Sequence, residues 1–201
     1  MINIRLANKE DCQKVVKIHI QEIKWGFLSR LGEKFLCYFY QAMVNSQNAF
    51  LIIAEDNNFV IGFVSGCVGL KKFYKEFIRK YIFKVSFILL RKIFSPDIIG
   101  KILETMKYSG QEKNDLPQAE LLSIAVLPEF QGKGVSQQLL DRFFIEMKKR
   151  NIEKFKVIVG ENLDRAVRFY EKNDFKFHSK SFVHKDMPSR IYIYNIENRQ
   201  L

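Results

Sequence analysis

The chain has little of what holds metals or disulfides. Its three cysteines, Cys12, Cys37 and Cys67, are an odd and scattered set without C-x-x-C spacing. Such a set predicts small buried hydrophobes in a reducing cytoplasm rather than a disulfide framework. The three histidines, His19, His178 and His184, lack ligand spacing as well, so no metal site is expected. Long apolar runs are missing too. The opening MINIRLANKEDC carries charges where a secretory signal needs an apolar core, so no signal is expected. The longest candidate span, residues 81–90, is too short to cross a bilayer and is interrupted by Lys84. There is no internal repeat and no low-complexity segment. Acidic residues are outnumbered, 22 against 33 Lys and Arg, giving a formal charge of +11. That balance favours an anionic ligand or surface by long-range attraction, although a lysine-rich composition produces the same number without any polyanion partner.

What is present suffices for one domain. At 201 residues the chain can bury a sizeable core, and a single unit over residues 1–201 is the expectation. Residues 3–6 alternate as a short strand, and Asn8 with Asp11 three residues on opens a helix carrying Val15, Val16, Ile18 and Ile23 at helical spacing. Trp25, Gly26 and Phe27 read as a loop, followed by a second helix over residues 31–44. Strands over 50–55 and 59–68 flank Asp56-Asn57-Asn58, a turn composition suited to a hairpin. Further strands are expected over 155–159, 175–182 and 191–196, with a helix over 163–172.

The most informative stretch runs from a strand, AELLSIAV, through the turn LPEFQGKG into an amphipathic helix with Leu139, Leu140, Phe143, Phe144 and Met147. A glycine-rich turn at a helix start leaves backbone N–H groups unpaired at the positive end of the helix dipole, which suits a phosphate or pyrophosphate. A P-loop is excluded, because Lys133 is followed by Gly134 and no glycine stands five residues upstream. A dinucleotide fingerprint is excluded because Gln137 stands where its third small residue belongs. The pattern that remains is Q-x-x-G-x-[GA], met by Gln131 and Gly134, with Ser136 as a small departure.

Here the chain resembles the GNAT family of N-acetyltransferases, whose first motif reads V-x-P-x-[FY]-[QR]-G-x-G before a helix. Val126, Pro128, Phe130, Gln131, Gly132 and Gly134 carry the match. The family's second motif, N-x-x-A-[IV]-x-[FL]-Y-E-K-x-G-F, is matched by Ala166, Val167, Phe169, Tyr170, Glu171, Lys172 and Phe175. Asn162 stands one position early, and Asp174 replaces the usual Gly, tolerable because Asp also accepts a left-handed helix end. The resemblance implies an α/β (α+β) fold with a mixed, mainly antiparallel central sheet flanked by helices. It also implies that the fourth and fifth strands splay apart for the pantetheine arm of acetyl-CoA.

Site roles follow from the same resemblance. Ile124, Ala125 and Val126 would pair their backbone with the pantetheine amides like an added strand. Gln131, Gly132, Lys133, Gly134, Val135 and Ser136 would hold the pyrophosphate, with Lys133 adding charge. Asn162 would bond the cofactor, or else cap the helix that follows. Tyr170 matches the tyrosine that protonates the departing thiolate, and Glu120 the position where one branch of the family keeps a general base. Each has a plainer reading, as a packed aromatic and a strand-end carboxylate. His19, Glu22 and Trp25 come from the segment that resembles the acceptor-binding wall.

Residues 69–117 are the least family-like part. KKFYKEFIRKYIFKVSFILL is basic, aromatic and expected to be helical, and Ser95-Pro96-Asp97 reads as a second helix start before residues 98–108. The expectation is therefore a helical insertion before the fourth strand that caps the acceptor cleft. Docking of its basic side on a membrane surface stays open as an alternative, and no nucleic-acid partner is expected. The expected activity is acetyl transfer to a primary amine of a small molecule, such as an amino sugar, by a monomer or homodimer. A non-catalytic acyl-CoA-binding module is the competing class.

Overall fold

A computed structural model describes residues 1–24, 26–90, 116–184 and 187–196. β1 (Asn3–Leu6) leads into α1 (Asp11–Glu22) through reciprocal bonds. Asn8 Oδ1 accepts the N–H groups of Glu10 and Asp11 at 2.9 and 3.1 Å, and Asp11 Oδ2 accepts that of Asn8 at 2.8 Å. The expected loop at 25–27 is shorter than the sequence suggested. Phe27 opens a helical turn of its own, α2 (Phe27–Leu31), and Gly32 at φ 90° breaks it from α3 (Glu33–Val44). A glycine takes that left-handed angle at no side-chain cost, so the second helix starts after it rather than at Leu31. Trp25 lies outside the described residues.

β2 (Ala49–Asp56) and β3 (Phe59–Cys67) form the expected hairpin. Asn57 and Asn58 both sit at positive φ, 47° and 65°, the turn geometry whose twist matches paired strands. α4 (Leu70–Leu90) follows, where the basic aromatic stretch predicts a helix; the second expected helix, residues 98–108, lies outside the described residues. Then come β4 (Glu120–Val126), a 3-10 turn (Pro128–Phe130), α5 (Val135–Lys149), β5 (Lys154–Gly160), α6 (Asp164–Lys172), β6 (Lys176–His184) and β7 (Met187–Asn195). At the end of α6, Asp174 takes φ 64°, and Phe175 N–H donates to Tyr170 O at 3.1 Å, so the aspartate fills the left-handed helix-ending position usually given to glycine.

The strands form one sheet in the order β1-β2-β3-β4-β5-β7-β6, antiparallel throughout except where β4 meets β5. Apolar layers cover both faces. On one, α1, α3 and α4 bury Val15, Leu36, Phe39, Tyr40, Phe73 and Phe77 against Ile53 and Phe63. Phe73 and Phe77 of α4 meet Phe39 at 5.4 and 5.7 Å between ring centres, so α4 docks by its aromatic stripe. Burying each such ring is worth about 1.5–3 kcal/mol. On the other face, Leu139, Leu140, Phe143, Phe144 and Met147 of α5 pack with Phe155, Phe175 and Tyr194. Gly66 is required there: a Cβ on it would stand 2.5 Å from Phe50 and 2.6 Å from Phe143.

Candidate active site

The sheet opens at β4. Its pairing with β3 runs Gly62↔Val126, Phe63↔Ala125, Val64↔Ile124 and Ser65↔Ser123, then slips to Gly66↔Leu121, leaving Leu122 as an extra residue. Such a bulge bends a strand and increases its twist. Parallel pairing with β5 stops at the same place, after Glu120↔Lys156 and Leu121↔Val157, while β5 pairs with β7 all the way to Gly160↔Ser189. Ile124, Ala125 and Val126 are therefore held by β3 on one side and have no β5 partner on the other. An extended chain with amide groups can add to that edge.

Beyond the fork lies the glycine turn. Gly132 and Gly134 take φ of 75° and 79°, and a Cβ on either would meet nothing within 4 Å, so backbone conformation and not crowding demands glycine here. Gln138 N–H donates to Gly134 O at 3.1 Å and closes the first turn of α5. Among the described residues, the N–H groups of 132–136 take no acceptor. Free donors, open space above them and the positive end of a fifteen-residue helix fit a pyrophosphate. Gln131 plays a different part, because its side chain donates to Val126 O at 2.9 Å and reaches Glu22 of α1 at 3.3 Å. It ties the turn to β4 and to the end of α1. Lys133 is exposed, its ammonium 5.3 Å from the centre of the Phe130 ring.

Asn162 is exposed and does not cap α6, which begins at Asp164 after Leu163 without a side-chain cap. Its Oδ1 lies near Gly160, at the open end of β5. Tyr170 is 3 % exposed, with ring contacts to Phe169 and Phe175 at 5.6 and 5.0 Å. Burial pushes its phenol above the usual range. Glu120 stands at the closed end of the fork, 8 % exposed, with Lys156 Nζ 3.6 Å from its carboxylate. That ammonium is fully buried and also donates to Pro117 O at 2.8 Å, so Glu120 is half of a charge pair across the two strands where they still meet.

His19 lies in the acceptor-wall segment as expected, but inside it, 1 % exposed and stacked on Phe63. Its Nδ1 is 2.6 Å from the Tyr40 hydroxyl, which in turn engages Ser65 and Ser123. Sequence reasoning passed over both serines. The available signal was a hydroxyl in each of two otherwise apolar strands, FVIGFVSGC and ELLSIAV. Among the described residues no three His, Cys, Asp or Glu groups gather as metal ligands, and no helix is long and apolar enough to cross a membrane.

Known proteins share this fold. PaiA N-acetyltransferase from Thermoplasma acidophilum, solved in complex with coenzyme A, superposes with a TM-score of 0.61 at 16% identity, over 97% of this chain and 99% of that one. YncA from Salmonella typhimurium, solved with its cofactor acetyl-CoA, gives 0.62 at 14% identity, over 100% and 96%. At such identities the likeness is one of fold. Mycothiol acetyltransferase of Propionibacterium freudenreichii subsp. shermanii is 31% identical over 64 residues, which are 32% of this chain and 20% of that protein. A family profile reaches much further, matching residues 15–175 as the acetyltransferase (GNAT) family. A sequence match over most of the chain is stronger evidence than a shared fold, and by it this protein belongs to the acetyltransferase (GNAT) family.

Proposed function

We propose that the chain is an acetyl-CoA-dependent N-acetyltransferase that passes the acetyl group directly to a primary amine of a small molecule, an amino sugar being one candidate. The observation that carries this is the unpaired N–H run of 132–136, in line with the free edge of Ile124, Ala125 and Val126. Acetyl-CoA supplies an activated thioester. The chain's part is to hold pyrophosphate and pantetheine so that the carbonyl lies at the fork, with Asn162 at the rim. The amine nitrogen forms the new C–N bond as the C–S bond breaks. Its proton leaves to water or to Glu120, and the thiolate takes a proton from Tyr170. Residues 69–117, inserted in a single domain, would lie on the acceptor side, as the docking of α4 on α3 supports.

Calorimetry with acetyl-CoA tests the donor site. Gly134→Asp sets a carboxylate and a side chain where donors meet phosphate, and should abolish binding. Equal affinity in both proteins would remove the cofactor from this turn. A thiol-release assay against a panel of amines then separates an enzyme from a binding module, which would bind acetyl-CoA and release no thiol with any of them.

A further inference from the structure

The chemistry proposed above uses none of the polar side chains buried beneath β4. Tyr40 is 0 % exposed, His19 and Ser65 each 1 %, and they come from α3, α1 and β3. Ser65 Oγ also donates to Ser123 O at 3.4 Å. His19 Nε2 has no hydrogen-bond partner among the described residues. In a dry layer an unused lone pair costs less than an unused N–H, which puts the ring proton on Nδ1. Nδ1–H then donates to Tyr40, and the phenol O–H passes on toward a serine hydroxyl. An apolar set of the same shape would be the cheaper filling.

Position explains the expense. Ser123 directly follows the bulged Leu122, at the point where β4 parts from β5. Without the bulge, β4 would slip by one residue, and a one-residue slip turns every following side chain to the opposite face. Ser123 would then point away from Tyr40. Contact between them exists only in the bulged form, which is also the form with a free edge at 124–126. We propose that His19 and Tyr40 are positioning residues: by holding Ser123 they bias β4 toward its bulged, open setting and keep the donor cleft from zipping shut against β5. The assignment rests on the acetyl-CoA reading for its purpose, but the two can fail separately.

A ligand of the open form loses affinity in proportion to any open population lost. Tyr40→Phe keeps the ring and removes the hydroxyl, which shifts the open-to-closed ratio roughly tenfold, the scale of one buried hydrogen bond felt by a single form; from a wild type that is mostly open, the acetyl-CoA Kd should then rise about twofold. Ser123→Ala should do the same, and the double variant should be no worse than either alone. His19→Asn, which keeps a donor in place of Nδ1, should approach wild type, whereas His19→Leu should not. NMR of the cofactor-free protein supplies the second readout: contacts between β4 beyond Leu121 and β5 beyond Val157, absent in wild type, should appear in Tyr40→Phe. A lowered Tm with unchanged Kd and no new cross-strand contacts would make the cluster mere packing and overturn the proposal. Failure of the wild type to bind acetyl-CoA would sink the donor reading, while the NMR contacts would still decide the brace.

Discussion

His19 and Tyr170 show what burial does to a titratable group in this protein. Burial holds the imidazole down at about 4 against an ordinary 6.5. Because the folded-state value is the lower one, the unfolded chain binds the proton first as pH falls. Stability from the neutral ring is thus complete above about pH 6.5 and is lost as pH drops toward 4. The total is about 3 kcal/mol, and about 2 kcal/mol is already gone at pH 5. Urea unfolding of wild type and His19→Asn at pH 7 and pH 5 should show that loss in the first protein and not in the second. Tyr170 is shifted the other way, so it stays protonated but gives its proton up less readily than a free phenol. Tyr170→Phe should preserve the acetyl-CoA Kd and lower kcat by roughly 10²-fold, the lower end for general acid catalysis. An unchanged kcat, with the chemical step shown to limit the rate, would leave Tyr170 as a packing residue beside Phe175.

At the scale of elements, the aromatic stripe of α4 settles which way its charges face. With Phe73, Phe77 and Tyr81 buried, Lys71, Lys72 and Lys75 point to solvent on the α1–α3 side of the sheet. The glycine turn proposed for the pyrophosphate lies past the far end of β4. Reversing the three charges together should therefore raise the apparent KM for an anionic acceptor about tenfold or more, and leave the acetyl-CoA Kd within about twofold. The opposite ranking would assign the basic helix to the cofactor's phosphates. Residues 71–90 were legible as a helix, and the structure puts the rings of Phe73, Phe77 and Tyr81 on one buried face. The bulge at Leu122 was not, since nothing in ELLSIAV distinguishes a bulged strand from a straight one. Register belongs to the pair of strands, and β3 fixes it.

For the molecule as a whole, a formal charge of +11 meets a polyanionic donor. Attraction of that kind acts on encounter, so the association rate constant of acetyl-CoA should fall about tenfold between low salt and about 0.5 M. Stopped-flow measurements should find the dissociation rate nearly constant over the same range. A flat association rate would mean that the charge reflects composition alone.

Local chemistry determined a good part of this protein. The glycines at 132 and 134, the N–H groups they expose, the Asn8–Asp11 helix start, the Asn57-Asn58 turn and the Asp174 helix end each depend on backbone angles and on neighbours a few residues away. A sequence states such things directly, and the two motifs in order carried the family. What the tertiary structure alone decided joins residues far apart along the chain. The Glu120–Lys156 pair, the line from His19 through Tyr40 to Ser123, and the width of the fork all depend on which strands lie side by side and in which register. No window along the chain holds that information, because pairing energy is shared between segments and appears only once both faces of the sheet are covered.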